Sequence, residues 1–455
     1  MTERMLARGD NRLSFTDQVM FLAVRATGQE SVVQAVWVYE HPVDFDGLRR
    51  VHRNFGYGLL GRRIEPSPLP FGRHRWVSSQ GPTTDIDIAE CARPRAELSD
   101  WADERAQLPI DPEWGPGWHW GVLPLTDGST AVSMVASHCL ADGFGGFATL
   151  VDAVNGNIRD FGYPPPRSRT RRRAMVSDAR QTVQDAPEVA RTLGVAAKLA
   201  FRRRHDFARS KAKRPTAILG DGADCNVVVP AITIYVDLDD WDARAKTLSG
   251  TSNSLVAGFA AKLGERMGRR RSDDGAVTLN IPVSDRTQDD TRANAVLLAD
   301  VSVDPTQVTT DLSGVRVAIR QGLKTAREVP DPALQLLPLT PFIPKRAVKR
   351  GADVMFGFAA DLPVSCSNLG DLDPAVGRPD GTDAEYVIVR GVDRYVTRQA
   401  LEQRRGLLTV VAGRIVGKMS VNIVAYQPGG TNSKAHLREL AGHTLAEFDL
   451  TGVID

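Results

Sequence analysis

The residues whose types and spacing suit chemistry lie in SMVASHCLADGFGGF, residues 133–147: His138, three residues, then Asp142 and Gly143. An imidazole has an unperturbed pKa of about 6.5, so it works as a general base near neutrality once its ring and tautomer are fixed. The apolar run TAVSMVAS reads as a rigid strand, and His138 falls at its end, where side chains leave a sheet for a cleft. Asp142 either orients the histidine or buttresses the loop, and a carboxylate buried there calls for a cationic partner. Gly143, Gly145 and Gly146 let backbone approach closely. The plain alternative is a hydrogen-bonded loop histidine without chemistry. Cys139 is read as a core residue, because neighbours on a strand point to opposite faces. Ser137 is not read as a hydrolase nucleophile, since the chain has no G-x-S-x-G elbow. GFGGFA imitates a dinucleotide turn, but it begins inside the histidine motif.

Positioning such a group takes strands and helices in alternation. Residues 11–24, 43–55, 96–110, 143–156, 186–210, 251–268, 311–326 and 433–448 read as helices from their caps and apolar spacing. Residues 31–40, 73–79, 231–241, 276–286, 293–303, 361–372 and 384–392 read as strands, and 407–425 as strands with turns. Residues 118–138 read as two strands joined at TDGS. YPPPRSRTRRR, within 161–175, has the composition of a linker, and the second half opens near KAKRPTAI, residues 211–218. The expected organisation is an α/β (α+β) chain of two lobes, residues 1–160 and 216–455, joined by a basic crossover over 161–215.

A chain of 455 residues is long for one ordinary core. Residues 161–215 carry 15 Lys and Arg against 4 Asp and Glu, a local balance of +11 within a net charge of +2. That segment is either a solvated face or meets something anionic: CoA phosphates, an acidic carrier protein or a membrane surface. Nucleic acid is not expected, because aromatic residues are sparse there. Cys91, Cys139, Cys225 and Cys366 are scattered, which argues against structural zinc and a disulfide framework. No signal peptide or membrane span is expected, and a cytoplasmic setting, with at most a peripheral membrane contact, is the simplest.

HCLADGFGG resembles the His-x-x-x-Asp-Gly signature of the CoA-dependent acyltransferase superfamily, which includes chloramphenicol acetyltransferase, nonribosomal peptide synthetase condensation domains and bacterial wax ester synthase/diacylglycerol acyltransferases. Other stretches resemble that last group in the same order: RLSFTDQVMFL (12–22), TSNSLVAGFAAKL (251–263), IPVSDR…RANAV (281–296) and VSCSNLGDL (364–372). The sequence departs at Ser137, which replaces a first histidine, at Ala293-Asn294, which replaces Gly-Asn, and at Asn368-Leu369-Gly370, which replaces Asn-Val-Pro-Gly.

The resemblance implies two chloramphenicol acetyltransferase-like lobes in a V, with the active site in the channel between them. It implies acyl transfer from a CoA or carrier-protein thioester to a hydroxyl or amine, with His138 as base and the Gly143 N–H as an oxyanion donor. Asp142 would pair with an arginine, for which Arg286 is the expected partner. Ser367, Asn368 and Asn294 either line the channel or are ordinary turn residues. No metal and no tightly bound cofactor is implied; the acyl-CoA or phosphopantetheine thioester is substrate. The competing reading is a non-catalytic or repurposed condensation-like protein that binds a carrier protein or a lipid.

Overall fold

The computed structural model describes residues 10–210, 225–287, 289–329, 334–343 and 362–455. The expected opening of the second half at 211–218 lies outside the described residues.

The first half runs α1 (Phe15–Thr27), β1 (Glu30–Tyr39), α2 (Phe45–Phe55), β2 (Arg62–Glu65), β3 (Arg75–Ser78), β4 (Asp87–Ile88), α3 (Leu98–Gln107), β5 (Trp118–Pro124), β6 (Thr130–Ser137) and α4 (Gly143–Val154). A long helix, α5 (Arg171–Ser210), follows. The second half runs β7 (Ala231–Asp237), α6 (Leu238–Thr247), α7 (Ser252–Arg266), β8 (Val277–Ser284), β9 (Val296–Val303), α8 (Ser313–Glu328), β10 (Val364–Asp371), β11 (Tyr386–Arg394), α9 (Arg398–Gln403), β12 (Leu407–Ile415), β13 (Lys418–Tyr426), α10 (Lys434–Glu447) and β14 (Val453–Ile454).

Two sheets organise these elements. One has the order β11-β1-β6-β5-β4, and the other β14-β7-β13-β12-β10-β8-β9. The first sheet is completed by a strand from the second half, since β11 pairs antiparallel with β1 from Glu30–Arg394 to Val38–Tyr386. β1 is buried along nearly its whole length because both faces are covered. Ala35, Trp37 and Tyr39 pack with Leu48, Val51 and Phe55 of α2. Val36 and Val38 pack on the other face with Leu98 and Trp101 of α3. In the second sheet, α7 is apolar nearly all round and sits in the core with β8, β10, β12 and β13.

Two expectations need correction. The arginine-rich stretch around 171–175 is not linker: α5 begins at Arg171 and runs unbroken through Pro187 to Ser210. Its acidic residues hold it to the body. Buried Asp178 accepts from Ser67 Oγ at 2.7 Å and from Arg169 Nη1 at 2.8 Å, and pairs with Arg75 at 3.1 Å; Asp185 pairs with Arg12 at 3.1 Å. Arg171, Arg172 and Arg173 are left exposed. The stretch expected as a strand to residue 241 ends at Asp237, which caps α6 by accepting from the Asp239 N–H. Leu238, Trp241 and Ala245 then fall on one helical face, with Trp241 and Ala245 fully buried.

Candidate active site

Strand β6 ends at Ser137, and Ser137 and His138 take opposite faces as strand alternation requires. Ser137 is buried and donates its hydroxyl to Glu30 Oε1 at 2.5 Å; Glu30 pairs in turn with Arg394 at 3.2 Å. Burial holds the Glu30 carboxyl above its ordinary range, with Ser137 and Arg394 opposing that rise. His138 is half-buried and its backbone N–H donates to the Ser31 carbonyl at 3.1 Å, continuing the β1–β6 ladder by one step. Its Nδ1 is buried and has no protein partner among the described residues, which leaves Nε2 as the nitrogen on the accessible edge. Cys139 is buried, and burial pushes its thiol far up, so it is no nucleophile.

The chain then turns into α4. Asp142 is the cap: its Oδ1 accepts from the Gly145 N–H at 2.7 Å. Its other oxygen accepts from Arg286 Nη2 and from the Ala295 N–H, both at 2.8 Å. Arg286 also donates to the carbonyls of Ala293, Arg292 and Asp290 at 2.9, 2.9 and 3.2 Å. The pair therefore fastens the motif loop to the loop between β8 and β9, 144 residues away. Every Asp142 oxygen is committed to this structure, so the carboxylate buttresses the loop. Gly145 cannot be replaced without movement, because a Cβ there would lie 2.7 Å from Leu59 Cδ1 and 3.0 Å from Arg286 Nη2. At Gly143 a Cβ would meet only Leu369, at 3.8 Å. The Gly143 and Phe144 N–H groups, the first two of α4, have no acceptor among the described residues and sit at the positive end of the helix.

Asn294 reaches the same loop, its Nδ2 donating to the His138 carbonyl at 3.2 Å. Ser367 and Asn368 lie half-buried on β10, just before Leu369. Asn368 donates to Asn253 of α7 at 2.6 Å and accepts from the Gly370 N–H at 2.9 Å. The structure thus gathers His138, Asp142, Gly143, Arg286 and Asn294 into one bonded unit. Ser367 and Asn368 approach it through Leu369 and share no hydrogen bond with it.

Two residues in this unit carry weight that the sequence reading did not give them. Asp17, fully buried on α1, accepts from the N–H groups of Ala293 and Asn294 at 3.1 and 2.9 Å and from Asn294 Nδ2 at 3.3 Å. Arg62, fully buried on β2, donates to the carbonyls of Leu140, at 3.0 Å, and Thr291, while stacking 3.6 Å over Trp76. The signal for Asp17 was its place in RLSFTDQVMFL, one of the resembling stretches, although Ser14-x-x-Asp17 also fits an ordinary helix first turn. Nothing in the local pattern of Arg62 distinguishes it from a surface strand arginine.

A cleft of about 330 Å³ lies elsewhere, lined by Arg95, Leu98, Thr233, Arg390, Arg438 and Asp455 among others, and His138 is not part of its wall. No group of three His, Cys, Asp or Glu able to hold a metal occurs among the described residues.

No family model and no curated protein sequence matches this chain. Solved structures do. The wax ester synthase/diacylglycerol acyltransferase from Marinobacter aquaeolei VT8 is 16% identical, with a TM-score of 0.54 over 96% of this chain and 98% of that one. The first condensation domain of the CDA synthetase is 12% identical, with a TM-score of 0.53 over 98% and 100%. A trichothecene 15-O-acetyltransferase from Fusarium sporotrichioides is 12% identical, with a TM-score of 0.56 over 96% and 94%. At these identities the likeness is one of fold. The chain has the mixed α/β architecture of these proteins over nearly its whole length.

Proposed function

We propose that this chain is an acyltransferase that moves an acyl group from a thioester of CoA, or of a carrier-bound phosphopantetheine, to a hydroxyl or amine of a small acceptor. The observation that carries the reading is the His138 ring: half-buried, with Nε2 on its accessible edge, beside two unpaired N–H groups at the start of α4. In the proposed reaction Nε2 takes the proton as the acceptor oxygen or nitrogen attacks the thioester carbon. The carbonyl oxygen becomes an oxyanion, for which the Gly143 N–H is the proposed donor. Collapse breaks the C–S bond, and the imidazolium returns its proton to the departing thiolate. Holding both substrates together supplies proximity, so no acyl-enzyme is needed.

The matched structures support acyl transfer as the class, since their names include a wax ester synthase, a condensation domain and an O-acetyltransferase. The exposed Arg171, Arg172 and Arg173 on α5 suit an anionic donor, whether CoA phosphates or an acidic carrier protein, and suit an anionic membrane surface equally. No helix among the described residues is long and apolar enough to cross a membrane. Ser367, Asn368 and Asn294 are proposed to border the substrate path from the second sheet.

The test supplies the purified chain with acyl-CoA and acyl-carrier donors and a panel of alcohols and amines, and follows thiol release and product mass. Transfer is expected, with His138→Ala slowing it by about 10²-fold or more. Transfer with no donor–acceptor pair, or a His138→Ala protein as active as the parent, overturns the reading. Capture of an acidic carrier without transfer favours the binding role instead.

A further inference from the structure

We infer that Asp393, acting through Ser31, is a positioning residue that sets the tautomer of His138. The inference rests on the reading of His138 as the base. In the sheet order β11-β1-β6, Asp393 is the register partner of Ser31, and Ser31 accepts the His138 N–H through its carbonyl. The three residues therefore form one rung across three strands. They also share a face. Val387 and Val389 of β11, Ala35 and Trp37 of β1, and Met134 and Ala136 of β6 have the same parity and all pack in one core cluster. The outer members of such a rung stand about 10 Å apart between Cα atoms, with the middle side chain between them.

Asp393 lies beside Ser31 on this rung, and burial pushes its carboxyl up while Arg404, Ser31 and the His138 ring favour its ionised form. His138 Nδ1 is buried without a protein acceptor among the described residues. A buried N–H needs an acceptor, and the Ser31 hydroxyl is the nearest group on this rung able to serve. In the proposed arrangement the hydroxyl gives its own hydrogen to Asp393, which leaves its oxygen lone pairs for Nδ1–H, directly or through one water. Catalytic hydrogen bonds of this kind are commonly long before substrate binds. With Nδ1 holding a hydrogen, Nε2 keeps the free lone pair that a base requires. When Nε2 takes up the acceptor's proton, both ring nitrogens carry a hydrogen and Nδ1–H stays on the Ser31 oxygen.

The other charged groups around the ring are already engaged. Arg404 lies 3.8 Å from Asp393 and opposes the upward push of burial on that carboxyl. Asp17 is satisfied by the Ala293 and Asn294 amides, and Asp142 by Arg286. Arg62 is spent on the Leu140 and Thr291 carbonyls. Glu30 and Arg394 pair on the opposite face.

The experiment is ring-nitrogen NMR of His138 in the full chain, with His138→Ala used to assign its signal, comparing the parent with Asp393→Asn and Ser31→Ala. The parent ring is expected to hold its hydrogen on Nδ1. Ser31→Ala, a small deletion at a half-buried site, should shift the ring from the Nδ1–H tautomer toward a mixture, and Asp393→Asn should shift it the same way by a smaller amount. In both variants kcat should fall with KM little changed. A tautomer unchanged in both folded variants overturns the inference. If His138→Ala retains acyl transfer while Ser31→Ala still shifts the tautomer, the base reading fails and the positioning geometry stands.

Discussion

Ser137 and His138 are chain neighbours with opposite environments. Ser137 faces α3 and is sealed into a network with Glu30 and Arg394, whose guanidinium also holds the Leu108 carbonyl. His138 faces the other core cluster at its margin, where one ring nitrogen is buried and the other accessible. Each has a hydroxyl and a carboxylate close by. One set is closed, so its polar groups contribute only to stability; the other is open on one side, as the proposed base requires. The difference teaches that the first histidine position of the resembling family falls on the closed side here. A serine there removes no group from the accessible face.

Substitutions can break this comparison. The largest effect is expected for Asp142→Ala, which leaves Arg286 buried without its partner and should cost about 3–5 kcal/mol in urea unfolding. Since Asp142 makes no bond to the imidazole, its loss should act through the fold of the loop, and a residual rate that tracks the folded fraction would support this.

Next come the two glycines. Gly145→Ala forces a methyl against Leu59 and Arg286 and should cost about 1–3 kcal/mol. Gly143→Ala meets only ordinary contact with Leu369 and should leave the unfolding midpoint nearly unchanged. Lost turnover in a fully stable Gly143→Ala protein would then report crowding on the substrate side of the helix N-terminus.

The smallest effects belong to the closed face. Ser137→Ala should cost about 1–2 kcal/mol and leave turnover unaltered, because it removes a hydrogen bond to a carboxylate that keeps Arg394 and a longer one that Ser137 Oγ accepts from the Cys139 N–H at 3.3 Å. A Ser137→Ala protein as impaired in turnover as His138→Ala would erase the distinction between the faces. The raised Glu30 carboxyl adds a pH signature. The folded protein binds this proton more tightly than the unfolded chain does. Its contribution to stability is therefore present below the ordinary value of 4.5 and lost as pH rises through the folded value. Glu30→Gln should flatten that part of the stability profile, measured by thermal unfolding from pH 4 upward.

Local pattern was enough to read most strands and helices, the start of α4 at Gly143 and the strand end that carries His138; that Asp142 caps α4 came from the structure. It read the helix over 186–210 but misread the start of α5, because proline and arginine runs look like linker when the partners that hold the helix, Ser67, Arg75 and Arg12, lie about a hundred residues or more away. It missed α6, whose Leu238, Trp241 and Ala245 spacing was hidden behind a β-branched run. Arg62 and Asp393 were legible only as polar residues within ordinary elements, and Asp17 only as part of a resembling stretch with no stated role.

What the sequence determined by itself was periodicity, capping and the presence of an imidazole at the end of a strand, since each depends on residues within a few positions of one another. Which nitrogen of that imidazole is buried and which carboxylates are committed to other partners were decided by tertiary structure. The reason is that these properties depend on desolvation and on hydrogen bonds between segments more than a hundred residues apart, as between Asp142 and Arg286 or Asp17 and Asn294, and no local pattern encodes such distances.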